Sequence, residues 1–171
     1  AMRAKDYILE HFIDPVYGGV YWSLNPDGTP KDTKKQIYAI GFTIYGLSEY
    51  TRATGDQDTL RMALQLYHDI EDHAYDKENN GYIEALTRDW QPIGDMRLSD
   101  KDENASRTMN THLHIIEPYT NLLRVLKGDH HDSLTRTAEE KTTWKAEVEH
   151  ATRNLLDTLT DIILHKAAYH H

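Results

Sequence analysis

The stretch MNTHLHIIEPYTNLLRV, residues 109–125, decides how the chain is read. It is apolar around most of a helix, yet it carries two histidines, two asparagines and a glutamate. Successive helical residues advance by about 100°, so Asn110, His114, Glu117 and Asn121 fall within roughly 60° of one another. Met109, Leu113, Ile115, Ile116 and Leu122 flank that stripe. Buried without partners, such groups would cost roughly 1–3 kcal/mol each. They must therefore face one another, water or a ligand. An inner helix of a helical barrel, with a wet lumen in front of it, meets that demand.

Two details refine the reading. His112 points about 200° away from His114, and a His-x-His pair chelates readily from a strand and poorly from a helix, so no metal site is expected. Pro118 leaves the carbonyl of His114 without its intrahelical donor, which predicts a kink or a helix that starts late, or else a freed acceptor beside the polar stripe, the first being favoured. On these grounds alone, His114 fits a core histidine satisfied by Glu117 or a tyrosine as well as it fits a ligand contact.

Outward from this stretch, helical patterns alternate with aromatic, glycine-marked hairpins. Residues 3–12 read as the end of a helix. GGVYWSLNPDGTP alternates and holds Asn25-Pro26-Asp27-Gly28, a strong hairpin turn. Residues 34–54 read as a helix that is apolar or small on most sides and ends at Gly55. Residues 56–74 carry one stripe, Leu60, Ala63, Leu64, Tyr67, Ile70 and Ala74, with Arg61, Gln65, Asp69 and Asp72 off it. That helix covers a core from outside. NNGYIEALTRDWQP reads as a second hairpin, and residues 95–107 as a charged loop. KGDHHDSLTRTAEEKTT reads as a polar, mobile connection, and residues 147–164 as another outer helix with its stripe at Val148, Ala151, Leu155, Leu159, Ile162 and Ile163.

The order repeats. His11, Asp14, Gly19, Leu24 and Pro30 recur 62 residues later as His73, Asp76, Gly81, Leu86 and Pro92. A period of two helices plus a hairpin is the mark of a stacked or closed array. ILHKAAYHH reads as the beginning of a third hairpin, so residues 1–171 are expected to be one domain and a central fragment of such an array.

Composition narrows the function. A net charge of −9 argues against nucleic acid or an anionic membrane as partner. There is no cysteine, hence no thiolate chemistry or disulfide framework. No apolar run approaches the roughly 20 residues a membrane span needs, and the N-terminus lacks the shape of a signal peptide, so a cytoplasmic protein is the expectation. The chain has 11 Tyr, 11 His and 3 Trp against 2 Phe; aromatics with a polar handle suit a sugar cleft, and equally suit packing between helices.

HFIDPVYGGVYWSLNPDGTPKDTKKQIYAIGFTIYGLSEYTRATGD, NNGYIEALTRDWQP and SRTMNTHLHIIEPYTNLLRV together resemble the N-acylglucosamine 2-epimerase superfamily, and among its members the cellobiose 2-epimerases. KKQIYA and MNTHLH carry most of the likeness. The resemblance implies an all-α fold, an (α/α)6 barrel of alternating inner and outer helices with short β-hairpins, present here in part. It implies that Tyr38, Asn110 and His114 face the lumen, with Trp22 and Trp90 near the sugar. It also implies proton-transfer histidines in a GHDIE-like segment and near the family's C-terminus, and an upstream sugar-binding arginine. None of these segments is found here, and neither His114 nor His170 and His171 replaces the missing histidines. This chain alone is therefore expected to be inactive.

Epimerisation at C2 of a sugar needs the open-chain aldehyde, removal of the C2 proton to an enediolate, and return of the proton from the other face. Histidine suits the proton work and preorganised donors suit the charge. No cofactor or metal is required. The expectation is that Tyr38 and Asn110 hydrogen-bond sugar oxygens, that His114 serves binding or ring opening, and that Glu117 orients His114. The partner is a small carbohydrate, a disaccharide or hexose, and exposed inner faces are expected to favour a homodimer. The rival readings are an N-acylglucosamine 2-epimerase, a mannose-type aldose–ketose isomerase, and a non-catalytic helical-repeat binding module. A glycosidase would need paired carboxylates, and the inner helices offer only Glu49 and Glu117.

Overall fold

Why the first inner helix starts where it does sets the architecture. The computed structural model describes residues 1–128 and 138–165. Residues 129–137, within the expected polar connection, and 166–171, the expected third hairpin with His170 and His171, lie outside the described residues. Helix α1 (Met2–Tyr7) runs into a π-helical turn (Ile8–Phe12). Strands β1 (Ser23–Leu24) and β2 (Pro30–Asp32) form the first hairpin. Lys35 and Gln36, expected to be helical, are instead strand β3 (Lys35–Gln36), paired antiparallel with β4 (Ala85–Leu86) of the second hairpin. Helix α2 (Ile37–Thr54) follows directly and ends at Gly55, whose φ of 75° closes the helix in the left-handed region. Helix α3 (Gln57–His73) is capped by the Asp56 carboxylate, which accepts from the Thr59 N–H. Helix α4 (Met109–Lys127) is capped by Thr108. Helix α5 (Ala138–His165) begins well before the expected residue 147; Glu139 and Glu140 in its first turn suit the positive end of the helix dipole.

Helices α2 and α4 pack on each other, α3 backs α2, and α5 backs α4. The core follows from this pairing. Ile37, Ile40, Ile44 and Leu47 of α2 meet Ile115, Tyr119, Leu122 and Val125 of α4, with the α3 and α5 stripes closing over them. Each such side chain contributes about 1.5–3 kcal/mol by leaving water. The far face of α2 is open, with Phe42 and Tyr45 each about 40% exposed, so α2 is less enclosed than its composition suggests. Helix α4 runs unbroken through Pro118, so it does not start late. The carbonyl that Pro118 frees, that of His114, abuts Gly41: a Cβ at Gly41 would lie 2.7 Å from it. Asp69 is a correction to the α3 stripe. It is buried and its carboxylate accepts the Gly19 N–H at 2.7 Å.

The repeat is written in hydrogen bonds. Asp14 N–H donates to Gly19 O, as Asp76 N–H does to Gly81 O; Asn25 N–H donates to Thr29 O, as Thr87 N–H does to Gln91 O. Trp90 occupies the turn position of Gly28 and shares its positive φ, 65° against 86°. Its indole stacks on His73 at 4.5 Å and donates to Tyr17 O at 2.7 Å, tying the second hairpin to the first. Beneath it lies a charge cluster in which the Asp14 and Lys35 side chains are fully buried. Asp14 accepts from Lys35 Nζ at 2.9 Å and from Arg88 Nε at 2.8 Å. Burial alone would raise the Asp14 pKa, but the hydrogen bonds from Arg88 and Lys35 hold it well below the usual carboxylate range. No described helix is long and apolar enough to cross a membrane.

Candidate active site

The site is built at the N-terminal ends of α2 and α4, and its scaffold is a set of buried polar contacts. Glu84, just before β4, is 3% exposed. Its carboxylate accepts from Thr108 N–H at 2.6 Å and from the Thr111 hydroxyl at 2.7 Å. Its backbone carbonyl accepts from Ile37 N–H at 3.0 Å. One turn on, His112 is 2% exposed. Its Nδ1 lies 2.7 Å from Thr108 O and its Nε2 accepts from Tyr82 N–H at 3.0 Å, which assigns the proton to Nδ1. Burial pushes the His112 pKa down, against the opposing hydrogen bond to Thr108. His112 is thus a structural histidine off the polar stripe, as its helical angle implies.

His114 is placed differently. Its side chain is 27% exposed and its Nδ1 lies 2.8 Å from Glu117 Oε2. That contact puts the Nδ1 proton on the carboxylate side and leaves Nε2 uncommitted to Glu117. The Tyr38 ring stands edge-on to His114 at 4.9 Å, and the Phe42 ring lies 5.1 Å from it. Asn110 is exposed and lines a cleft of about 590 Å³ with Glu84, Met96, Arg97, Arg107 and Thr108 among its walls. The loop forming one wall is tied back by Gln36, whose amide donates to Met96 O and Arg97 O at 3.0 and 2.8 Å.

The structure therefore brings Tyr38, His114 and Glu117 together, with Asn110 one turn before His114 at the cleft. Trp22 lies on the Arg97 side: Lys34 Nζ is 5.6 Å from its ring and donates to Arg97 O. The contacts of Trp90 run to Tyr17, Gly19, Lys35 and His73. Asn121 leaves the stripe. It is 5% exposed, and its amide is occupied by Tyr45 O and Arg124. Phe42, Glu84, Gln36 and Arg97 were missed by sequence reasoning. Phe42 follows Tyr38 by one helical turn, a signal that was available; the other three act across long sequence separations that no local pattern shows. Among the described residues, no group of three or more His, Asp or Glu is placed to hold a metal ion.

The sequence profile of the family described as N-acylglucosamine 2-epimerase (GlcNAc 2-epimerase) matches residues 1–119, which include every contact around Tyr38 and His114 just described. The chain belongs to the N-acylglucosamine 2-epimerase family. A cellobiose 2-epimerase of Bacteroides fragilis is 54% identical over 170 residues, covering 99% of this chain and 39% of that protein. The structure of a cellobiose 2-epimerase from Spirochaeta thermophila superposes with a TM-score of 0.77 at 31% identity, over 96% of this chain and 36% of the other. A sugar epimerase from a ruminal bacterium superposes with a TM-score of 0.78 at 36% identity, over 95% and 37%. The chain thus spans well under half the length of these relatives. In the N-acylglucosamine 2-epimerase family its inner and outer helices are part of an (α/α)6 barrel, with α2 and α4 inside.

Proposed function

We propose that this chain is the central part of a sugar 2-epimerase of the cellobiose 2-epimerase type. The observation that carries the reading is the partly exposed His114, held by Glu117 on one side and framed by Tyr38 and Phe42, beside a cleft that Asn110 lines. The Tyr38 and Phe42 rings around His114, one helical turn from a cleft lined by Arg97, Arg107, Thr108 and Asn110, suit a pyranose, whose C–H faces are apolar and whose rim is hydroxyls. Tyr38 and Asn110 would hydrogen-bond sugar oxygens. His114, its Nδ1 proton engaged by Glu117, presents Nε2, which can take the anomeric hydroxyl proton and hand it to the ring oxygen as the C1–O5 bond breaks and C1 becomes the aldehyde. Once the aldehyde is open, C2 loses its proton to form the enediolate, and the proton returns on the other face. The family's proton-transfer segments have no counterpart among these 171 residues, so His114 is assigned to binding or ring opening and not to C2. Trp22 and Trp90 belong to the proposal as aromatics at the sugar's periphery. The cytoplasmic setting and self-association through the open faces of α2 and α4, where Phe42, Tyr45 and Leu113 are exposed, belong to it too.

The test is a reaction assay on a protein in which this chain is continued to the length of its relatives. Cellobiose should be converted to its C2 epimer, the disaccharide with mannose at the reducing end, and His114→Ala should lower turnover severely. Turnover of N-acetylmannosamine in preference to cellobiose, or ketose formation from mannose, would move the assignment to the rival enzymes. Near-wild-type turnover by His114→Ala would refute its role, and no turnover of any of these sugars would leave the binding-module reading.

A further inference from the structure

Glu84 is more deeply buried than any other carboxylate near the cleft, and all its polar groups are committed. Its carbonyl holds Ile37 N–H at 3.0 Å, at the first residue of α2, immediately before Tyr38. Its N–H donates to Ser106 O at 3.0 Å, on the segment leading into α4. One carboxylate oxygen holds the N–H of the α4 cap residue Thr108, and the other holds the Thr111 hydroxyl one residue beyond Asn110. A single residue thus joins the N-terminal turns of both inner helices. The negative charge suits the positive end of α4. Buried, charge-assisted hydrogen bonds of this kind are short and directional, so they set geometry as well as energy.

We propose that Glu84 is the positioning residue that fixes the first turn of α2 against the first turns of α4, and with it the placement of Tyr38 against His114 and Asn110. The inference rests on the reading of these three as sugar-facing residues, but its geometric content does not depend on any sugar. Reach is the key property. A glutamate side chain extends from the β4 approach far enough to touch both Thr108 and Thr111. An aspartate, one methylene shorter, cannot hold both while its backbone stays bonded to Ile37 and Ser106. A glutamine can, with its oxygen accepting from Thr108 N–H and its amide donating to a reoriented Thr111 hydroxyl.

The experiment is nuclear Overhauser spectroscopy on this chain, reading the cross-peak between the Tyr38 and His114 rings. The Tyr67–Tyr119 pair, whose rings are 4.9 Å apart in the core, reports intact packing. Glu84→Asp should lose the Tyr38–His114 cross-peak and keep the Tyr67–Tyr119 one, while Glu84→Gln should keep both. Thr111→Val, which removes one tether at constant volume, should weaken the site cross-peak and decides the matter if Glu84→Asp does not fold. An undiminished Tyr38–His114 cross-peak in the folded Glu84→Asp or Thr111→Val variant would overturn the proposal. No sugar is present in the measurement, so failure of the epimerase assay bears on the proposed function alone.

Discussion

Replacing Gly41 by alanine tests how the two inner helices are held together. Gly41 is buried on α2 where the helix meets α4. A Cβ there would lie 2.7 Å from His114 O and 3.5 Å from Pro118 Cγ. The first distance is far inside van der Waals contact, and the atom it meets is backbone, so α2 and α4 must separate. Gly46 is the natural control, since it is on the same helix and a methyl added to it would meet nothing within 4 Å. Alanine gains roughly 0.8–1.0 kcal/mol over glycine inside a helix at either site. Only Gly41→Ala also incurs overpacking, which costs about 1–3 kcal/mol. Gly46→Ala should therefore be more stable than the parent, and Gly41→Ala less stable than Gly46→Ala by about 1–3 kcal/mol. At about 2–4 °C of Tm per kcal/mol for a chain of this size, the two variants should melt roughly 2–12 °C apart. Thermal unfolding followed by circular dichroism reads this directly. Equal Tm values for the two variants would show that the helices do not meet as closely as described.

Other changes probe the scaffold from different sides. His112→Gln should flatten the acid limb of the stability curve: the folded-state pKa of His112 is lowered, so its contribution is complete above the ordinary value of about 6.5 and is lost as pH falls toward the folded value. Urea titrations at several pH values would show an unchanged limb if His112 were not the group responsible. Tyr119→Phe removes one of two phenols donating to Glu71 Oε1, each at 2.7 Å, and should cost about 1–3 kcal/mol. Burial raises the Glu71 pKa, so a carboxyl with one donor fewer titrates higher still, and the loss should grow as pH rises through that value; a pH-independent loss would refute the pairing. Trp90→Gly should relieve about 1–2 kcal/mol of left-handed strain yet lower Tm, because the stack on His73 and the bond to Tyr17 O go with the indole. A raised Tm would show that the strain outweighs the clamp.

Much of this arrangement is legible in the residues themselves. The stripes of α3 and α5 mark them as outer helices, and Val148, Ala151, Leu155 and Leu159 are buried as their spacing requires. The 62-residue echo points to two hairpins of one design, and the matching hydrogen bonds bear that out. The angle between His112 and His114 separates the structural imidazole from the partly exposed one. What could not be read depends on partners far along the chain. Lys35 and Gln36 look helical until β4 arrives to pair with them. Asn121 belongs to the polar stripe by angle, but Tyr45 O and Arg124 take its amide. Asp69 looks like a solvated residue until Gly19 N–H is found against it. Glu84 sits in a segment that reads only as a hairpin, and its role emerges once Ile37, Thr108 and Thr111 converge on it.

The Asp14 cluster carries a consequence for how the chain comes together. Asp14 has no exposed side-chain surface, and Arg88, 74 residues further along, supplies two of its hydrogen bonds. A carboxylate cannot lose its water before compensating cations are in place. During synthesis, which delivers N-terminal segments first, Lys35 is available to Asp14 before Arg88 is, so charge compensation in the opening hairpin is completed only when the second has emerged. The second hairpin is thus a structural part of the first, and removing it would strip Asp14 of two of its donors.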